Sequence, residues 1–133
     1  MSLLIGCLII HGYTGGPHEV EPLRDYLEKR TDWKIAVPVL RGHGEELQLE
    51  DATHENWLED AKNALHDLQA ECDTVYVIGF SMGGMIAAYL AATEKVDKLV
   101  LLATARRYLS FKYLSYYVAE MIGDGFKGKL HEN

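Results

Sequence analysis

The run Gly79-Phe80-Ser81-Met82-Gly83 sets a serine between glycines two positions away on either side. The spacing has a physical reading when a buried strand precedes the run and a helix follows it. A sharp strand-to-helix turn forces the serine into a strained backbone and lifts its Oγ above the sheet. Residues two positions away must then be small, or their side chains collide across the turn. Here Val75-Tyr76-Val77-Ile78 reads as the strand and residues 82–92 as the helix. The helix N-terminus behind Ser81 places positive potential where an oxyanion would form. Ser81 is therefore expected to be a nucleophile, with Gly79 and Gly83 as the glycines that permit the turn.

A second constellation, His11-Gly12-Tyr13-Thr14-Gly15-Gly16, follows the first apolar run. On a serine elbow, one oxyanion donor is the N–H of the residue after the nucleophile, and the other comes from a loop after an earlier strand. Met82 and Tyr13 fit these two roles, and the glycines let the backbone approach a substrate closely. A phosphate cradle is the competing idea, but neither G-x-x-x-x-G-K-[ST] nor G-x-G-x-x-G is present. His11 is expected to hold the loop by hydrogen bonds, with a role as catalytic base the lesser alternative. Arg41-Gly42-His43-Gly44 is expected to shape the rim of the crevice where such sheets bind substrates. His18, His54 and His66 read as solvated surface. No His–carboxylate spacing suits a metal, and no cofactor is expected.

The elements that must position these residues are legible as apolar runs at 3–10, 34–39, 74–78 and 98–103. Three are nearly continuous in Val, Ile and Leu, as suits strands covered on both faces of a parallel sheet. Helical patterns separate them. Val20, Leu23, Tyr26 and Leu27 share one face, with Pro22 tolerable in a first turn. Trp57, Leu58, Ala61, Ala64, Leu65 and Leu68 form a cleaner stripe, with Thr53 as N-cap. The helix at 82–92 is apolar on nearly all sides and so expected to be buried. The expected fold class is α/β, a parallel sheet of about four strands with flanking helices.

The 133 residues suffice for one domain with a hydrophobic core. Thirteen basic against twenty acidic residues give a net charge of −7, which argues against a nucleic-acid partner. Cys7 and Cys72 show no CxxC or metal spacing and read as free thiols in a reducing compartment. The run 3–10 lacks the basic flank and cleavage site of a signal peptide and is too short to span a bilayer. A cytoplasmic location is expected. Beyond Thr104, Tyr108, Phe111, Tyr113, Tyr116 and Tyr117 crowd a helical pattern. It reads either as a helix packed on the sheet or as the first lid helix over an acyl pocket.

In order and spacing, "HGYTGG", "RGHG" and "GFSMGG" resemble the α/β-hydrolase superfamily, notably small bacterial carboxylesterases and monoacylglycerol-lipase-like enzymes. The resemblance covers residues 3–104 well and the remainder loosely. It implies a core over 1–104 and the start of a cap over 105–133. It also implies a sheet order with 34–39 at one edge, then 3–10, 74–78 and 98–103. Ser81 would be the nucleophile, with Tyr13 and Met82 amides as the oxyanion hole. The family's triad runs Ser, then Asp or Glu, then His. Here the only later histidine is His131, and the stretch after 98–103 holds Thr104-Ala105-Arg106 without a carboxylate. The chain thus reads as the N-terminal half, nearly inactive alone, since losing a triad member costs about 10⁴- to 10⁶-fold. An apolar edge strand at 98–103 would favour self-association or pairing with a C-terminal half.

The expected activity is hydrolysis of a small-molecule carboxylic ester with an apolar acyl group, through an acyl-enzyme on Ser81. Acyl transfer or thioester hydrolysis on the same scaffold, and an inactive remnant, are the alternatives.

Overall fold

The computed structural model describes residues 3–102. Four strands, β1 (Ile5–Ile10), β2 (Lys34–Ala36), β3 (Thr74–Phe80) and β4 (Lys98–Leu102), alternate with three helices, α1 (Glu21–Arg30), α2 (His54–Glu71) and α3 (Met82–Thr93). The strands form one parallel sheet in the order β2-β1-β3-β4, as the resemblance implies. Residues 103–133, and with them the expected cap segment, lie outside the described residues.

The continuous apolar runs are explained by cover on both faces. Leu8 and Ile10 point into one core with Trp57, Leu65, Ile86 and Leu90, contributed by α2 and α3. Cys7 and Ile9 point the other way, into a second core with Val20, Leu23 and Leu27 around α1. Burying a Leu or Ile side chain contributes about 1.5–3 kcal/mol, so a strand loaded on both faces is well anchored. β1 therefore has a fixed place between β2 and β3. Its register with β3 pairs Ile10 with Gly79. The chain consequently leaves β1 and β3 at the same level, and the loops that follow emerge side by side.

Strand β2 stops at Ala36 rather than continuing to 39. Pro38 has no N–H to give to a ladder, and the chain turns away toward Arg41. Helix α2 begins as expected at Thr53. Its Oγ accepts from the Asn56 N–H at 3.2 Å, while Asn56 Oδ1 accepts from the Thr53 N–H at 3.1 Å. The reciprocal pair satisfies two otherwise orphaned groups. Trp57, Ala61, Leu65 and Leu68 form its buried stripe. On α1, Tyr26 departs from expectation. It is exposed, and the Arg30 guanidinium lies 3.7 Å over its ring. One position before Leu27, it sits about 100° around the helix from that partly buried residue.

Strand β4 is apolar yet partly exposed, with Leu99, Val100 and Leu101 at 38%, 41% and 45%. Cys7, by contrast, is fully buried, and burial pushes its thiol up to about 11. We expect a disulfide reagent at neutral pH to titrate only the half-buried Cys72 in the native chain. The second thiol should appear on addition of denaturant. Two equally fast thiols would show that the sheet opens readily at β1.

Candidate active site

Ser81 lies at the junction of β3 and α3 with φ 56° and ψ −120°. A non-glycine residue in this region carries strain of about 1–3 kcal/mol and persists only where its surroundings enforce it. Two close approaches enforce it. A β-carbon on Gly79 would lie 2.2 Å from the Gly83 carbonyl oxygen, and one on Gly83 only 2.1 Å from that of Ile10. The turn can close, and α3 can rest on the end of β1, because neither position has a side chain. The Ser81 N–H donates to the Leu102 carbonyl at 3.0 Å, and the Gly84 N–H donates to the Ser81 carbonyl at 2.9 Å.

The loop after β1 passes directly beside this serine. A β-carbon on Gly12 would sit 3.1 Å from Ser81 Cβ and 3.5 Å from Glu19 Oε1. Among the described residues, no hydrogen bond uses the Tyr13 or the Met82 N–H. Met82 opens α3, so its N–H belongs to the first-turn donors that have no acceptor within the helix.

Both histidines near the serine are fully buried and have both ring nitrogens engaged. His11 Nδ1–H donates to the Gly12 carbonyl at 2.8 Å, and its Nε2 accepts the Leu40 N–H at 3.1 Å. His43 Nε2 accepts the Thr14 N–H at 3.0 Å, and its Nδ1–H donates to the Arg41 carbonyl at 3.2 Å. A nitrogen that accepts from a backbone amide carries no proton, so each ring is the neutral Nδ1–H tautomer. His11 thus holds the loop, as its place in the sequence suggests, and has no lone pair left for a serine proton. His43 is fully buried. His18 and His54 are exposed, and the exposed His66 contacts Glu94 at 3.3 Å.

Burial pushes the His11 pKa below its ordinary 6.5, reinforced by His43 and His18 and opposed by the Gly12 carbonyl and Glu19. The unfolded chain therefore takes up this proton before the folded one does. Stability from His11 is fully present above about pH 6.5 and is lost as pH falls toward the lowered folded-state value. Thermal unfolding between pH 7.5 and 5 should show this decline. It should flatten in His11→Gln, and an unchanged slope in that variant would refute the assignment.

Sequence reasoning placed Trp57 in the core stripe but missed its second role. The indole N–H donates to the Arg41 carbonyl at 2.8 Å, and the ring lies 5.4 Å from His43 and 5.5 Å from Tyr13. Asp60, not singled out at all, accepts from the Arg41 N–H at 2.8 Å and from Nε at 2.9 Å. Glu19 was missed too. Its carboxylate occupies the space a side chain on Gly15 would need. No local pattern announces the contacts of Trp57 and Asp60, because both act across a loop whose path the periodicity does not give.

A parallel sheet with its strained serine at the strand-to-helix turn beside a glycine loop defines a hydrolase scaffold. Residues 8–122 match the alpha/beta hydrolase fold family, and the chain belongs to it. It is 35% identical over 88 residues to a thermostable monoacylglycerol lipase of Bacillus sp. (strain H-257), covering 65% of this chain and 35% of that enzyme. The fold superimposes with a TM-score of 0.72 and 28% identity on a structure from work on LipS and LipT, two metagenome-derived lipolytic enzymes. That match covers 84% of this chain and 46% of the other. A lipase-esterase related protein from Clostridium acetobutylicum ATCC 824 matches with a TM-score of 0.59 and 26% identity, over 74% of this chain and 41% of its own. The chain spans less than half the length of each of these relatives.

Proposed function

We propose that the protein is a serine carboxylic ester hydrolase acting through an acyl-enzyme on Ser81. The reading is carried by one observation: a strained, glycine-flanked serine stands beside a loop that offers a second backbone donor. Ser81 Oγ attacks the ester carbonyl carbon, and the Tyr13 and Met82 N–H groups receive the oxyanion. Collapse expels the alcohol and leaves the acyl group on Oγ, and water then releases the acid. His11 and His43 have no free nitrogen to take the Ser81 proton, and the reading assigns the base to a residue outside 3–102. Similarity to a monoacylglycerol lipase supports an ester with an apolar acyl group. The free thiols Cys7 and Cys72 support a cytoplasmic setting.

The test is intact-mass spectrometry of the 133-residue chain after incubation with a fluorophosphonate, with mapping of the adduct. The expected adduct lies on Ser81 alone and forms slowly, about 10⁴-fold or more below the rate of a complete triad. Labelling elsewhere, or labelling that survives Ser81→Ala, would overturn the nucleophile assignment. Rapid stoichiometric labelling of Ser81 would overturn the external base.

A further inference from the structure

Among the described residues, only two non-glycine positions have positive φ, Ser81 at 56° and Thr14 at 63°. Each adjoins one of the two amides assigned to the oxyanion, Met82 and Tyr13. The strain at Ser81 follows from its turn. Threonine is a poor occupant of the left-handed region because its β-branch crowds the backbone, so something must hold Thr14 there. The group in place is His43, whose Nε2 accepts the Thr14 N–H at 3.0 Å.

His43 is in turn fixed from α2. Its Nδ1–H and the Trp57 indole N–H converge on one acceptor, the Arg41 carbonyl, at 3.2 and 2.8 Å. Asp60 clamps the same residue through its backbone N–H and its guanidinium at 2.8 and 2.9 Å. The His43 ring is also packed between Trp57 and Tyr13, with centroids 5.4 and 5.9 Å away. A continuous path therefore runs from α2 through Arg41 and His43 to the backbone next to Tyr13.

We propose that His43 is a positioning residue for the oxyanion loop, anchored to α2 by Trp57 and Asp60 through Arg41. The proposal rests on the reading of the Tyr13 amide as an oxyanion donor. His43 touches no reacting atom. It sets where the Tyr13 N–H points by pinning the strained residue that follows.

The experiment compares the unaltered chain with His43→Phe and His43→Gln. Phenylalanine keeps a ring against Trp57 and Tyr13 but loses both hydrogen bonds. Glutamine restores one acceptor and one donor. Amide hydrogen exchange reads the loop, and phosphonylation of Ser81 by a neutral fluorophosphonate reads its use, with Ser81→Ala as the zero. In His43→Phe, the Thr14 amide should exchange at least about tenfold faster while β1 and β3 amides stay protected. The limiting labelling rate should fall about 10²-fold, the effect of losing one oxyanion donor, at unchanged apparent affinity for the probe. His43→Gln should recover most of both, and Thr14→Gly combined with His43→Phe should recover part of the labelling. Faster Thr14 exchange with unchanged labelling would reduce His43 to a structural role and overturn the proposal, as would unchanged exchange. An unaltered chain that labels no faster than Ser81→Ala would instead remove the nucleophile reading, and the proposal with it.

Discussion

Gly83→Ala should cost the protein about 3–5 kcal/mol of stability, a large share of a total of about 5–15. The added methyl would lie 2.1 Å from the Ile10 carbonyl oxygen and 2.6 Å from that of His11, and both obstacles are backbone. No side chain can rotate to make room, so α3 must lift from the end of β1, breaking the contact that holds the serine turn over the sheet. Gly44→Ala is the matched control, since a β-carbon there meets nothing within 4 Å. It should stay within about 0.5 kcal/mol of the parent. Urea unfolding followed by circular dichroism reads both. A Gly83→Ala midpoint that overlaps the control would show that the α3–β1 contact yields at little cost.

Ser81→Gly is expected to abolish all covalent labelling at the turn and at the same time make the chain more stable. The backbone at φ 56° and ψ −120° is one a glycine adopts without strain. Relief of about 1–3 kcal/mol, less about 0.5–1 kcal/mol for the greater freedom of unfolded glycine, leaves a net gain of about 1 kcal/mol. For a domain of roughly 100 residues that corresponds to about 4–8 °C in Tm. Ser81→Ala separates the two effects. It loses Oγ but keeps the β-carbon, so labelling should vanish while Tm stays near the parent value. Equal stabilisation by alanine and glycine would mean that the backbone at 81 carries no strain. The expected pattern is that of a serine held where reactivity needs it against its own conformational preference.

Much of this was legible from residue order alone, for reasons that differ by element. Continuous apolar runs identify strands covered on both faces, which is why β1 and β3 could be placed. The strand order came from the resemblance, and the pairing of Ile10 with Gly79 agrees with it. The end of β2 was misjudged because an apolar run continues past Ala36, whereas ladder pairing does not survive Pro38. Tyr26 was misjudged because a three-to-four spacing tolerates a residue at the margin of a stripe, and an arginine one turn on gave it a partner in solvent. At the site, Ser81, Gly79 and Gly83 stand out because their constraint is local to one turn. Asp60 does not, because a carboxylate that clamps a distant loop looks like any other charge on a helix.

The placing of Trp57 gives the protein an optical consequence. The chain has two tryptophans, and they lie in different surroundings. Trp33 is partly buried and meets Tyr76 edge-on at 5.2 Å, in the core on the α1 side of the sheet. Trp57 is buried, hydrogen-bonded through its indole nitrogen, and in contact with the loop residue Tyr13. With Trp33 replaced by phenylalanine, the remaining emission comes from an indole whose neighbours are the loop beside the serine and the loop after β2. Its wavelength and lifetime then report the state of those loops directly, without a label and without a substrate.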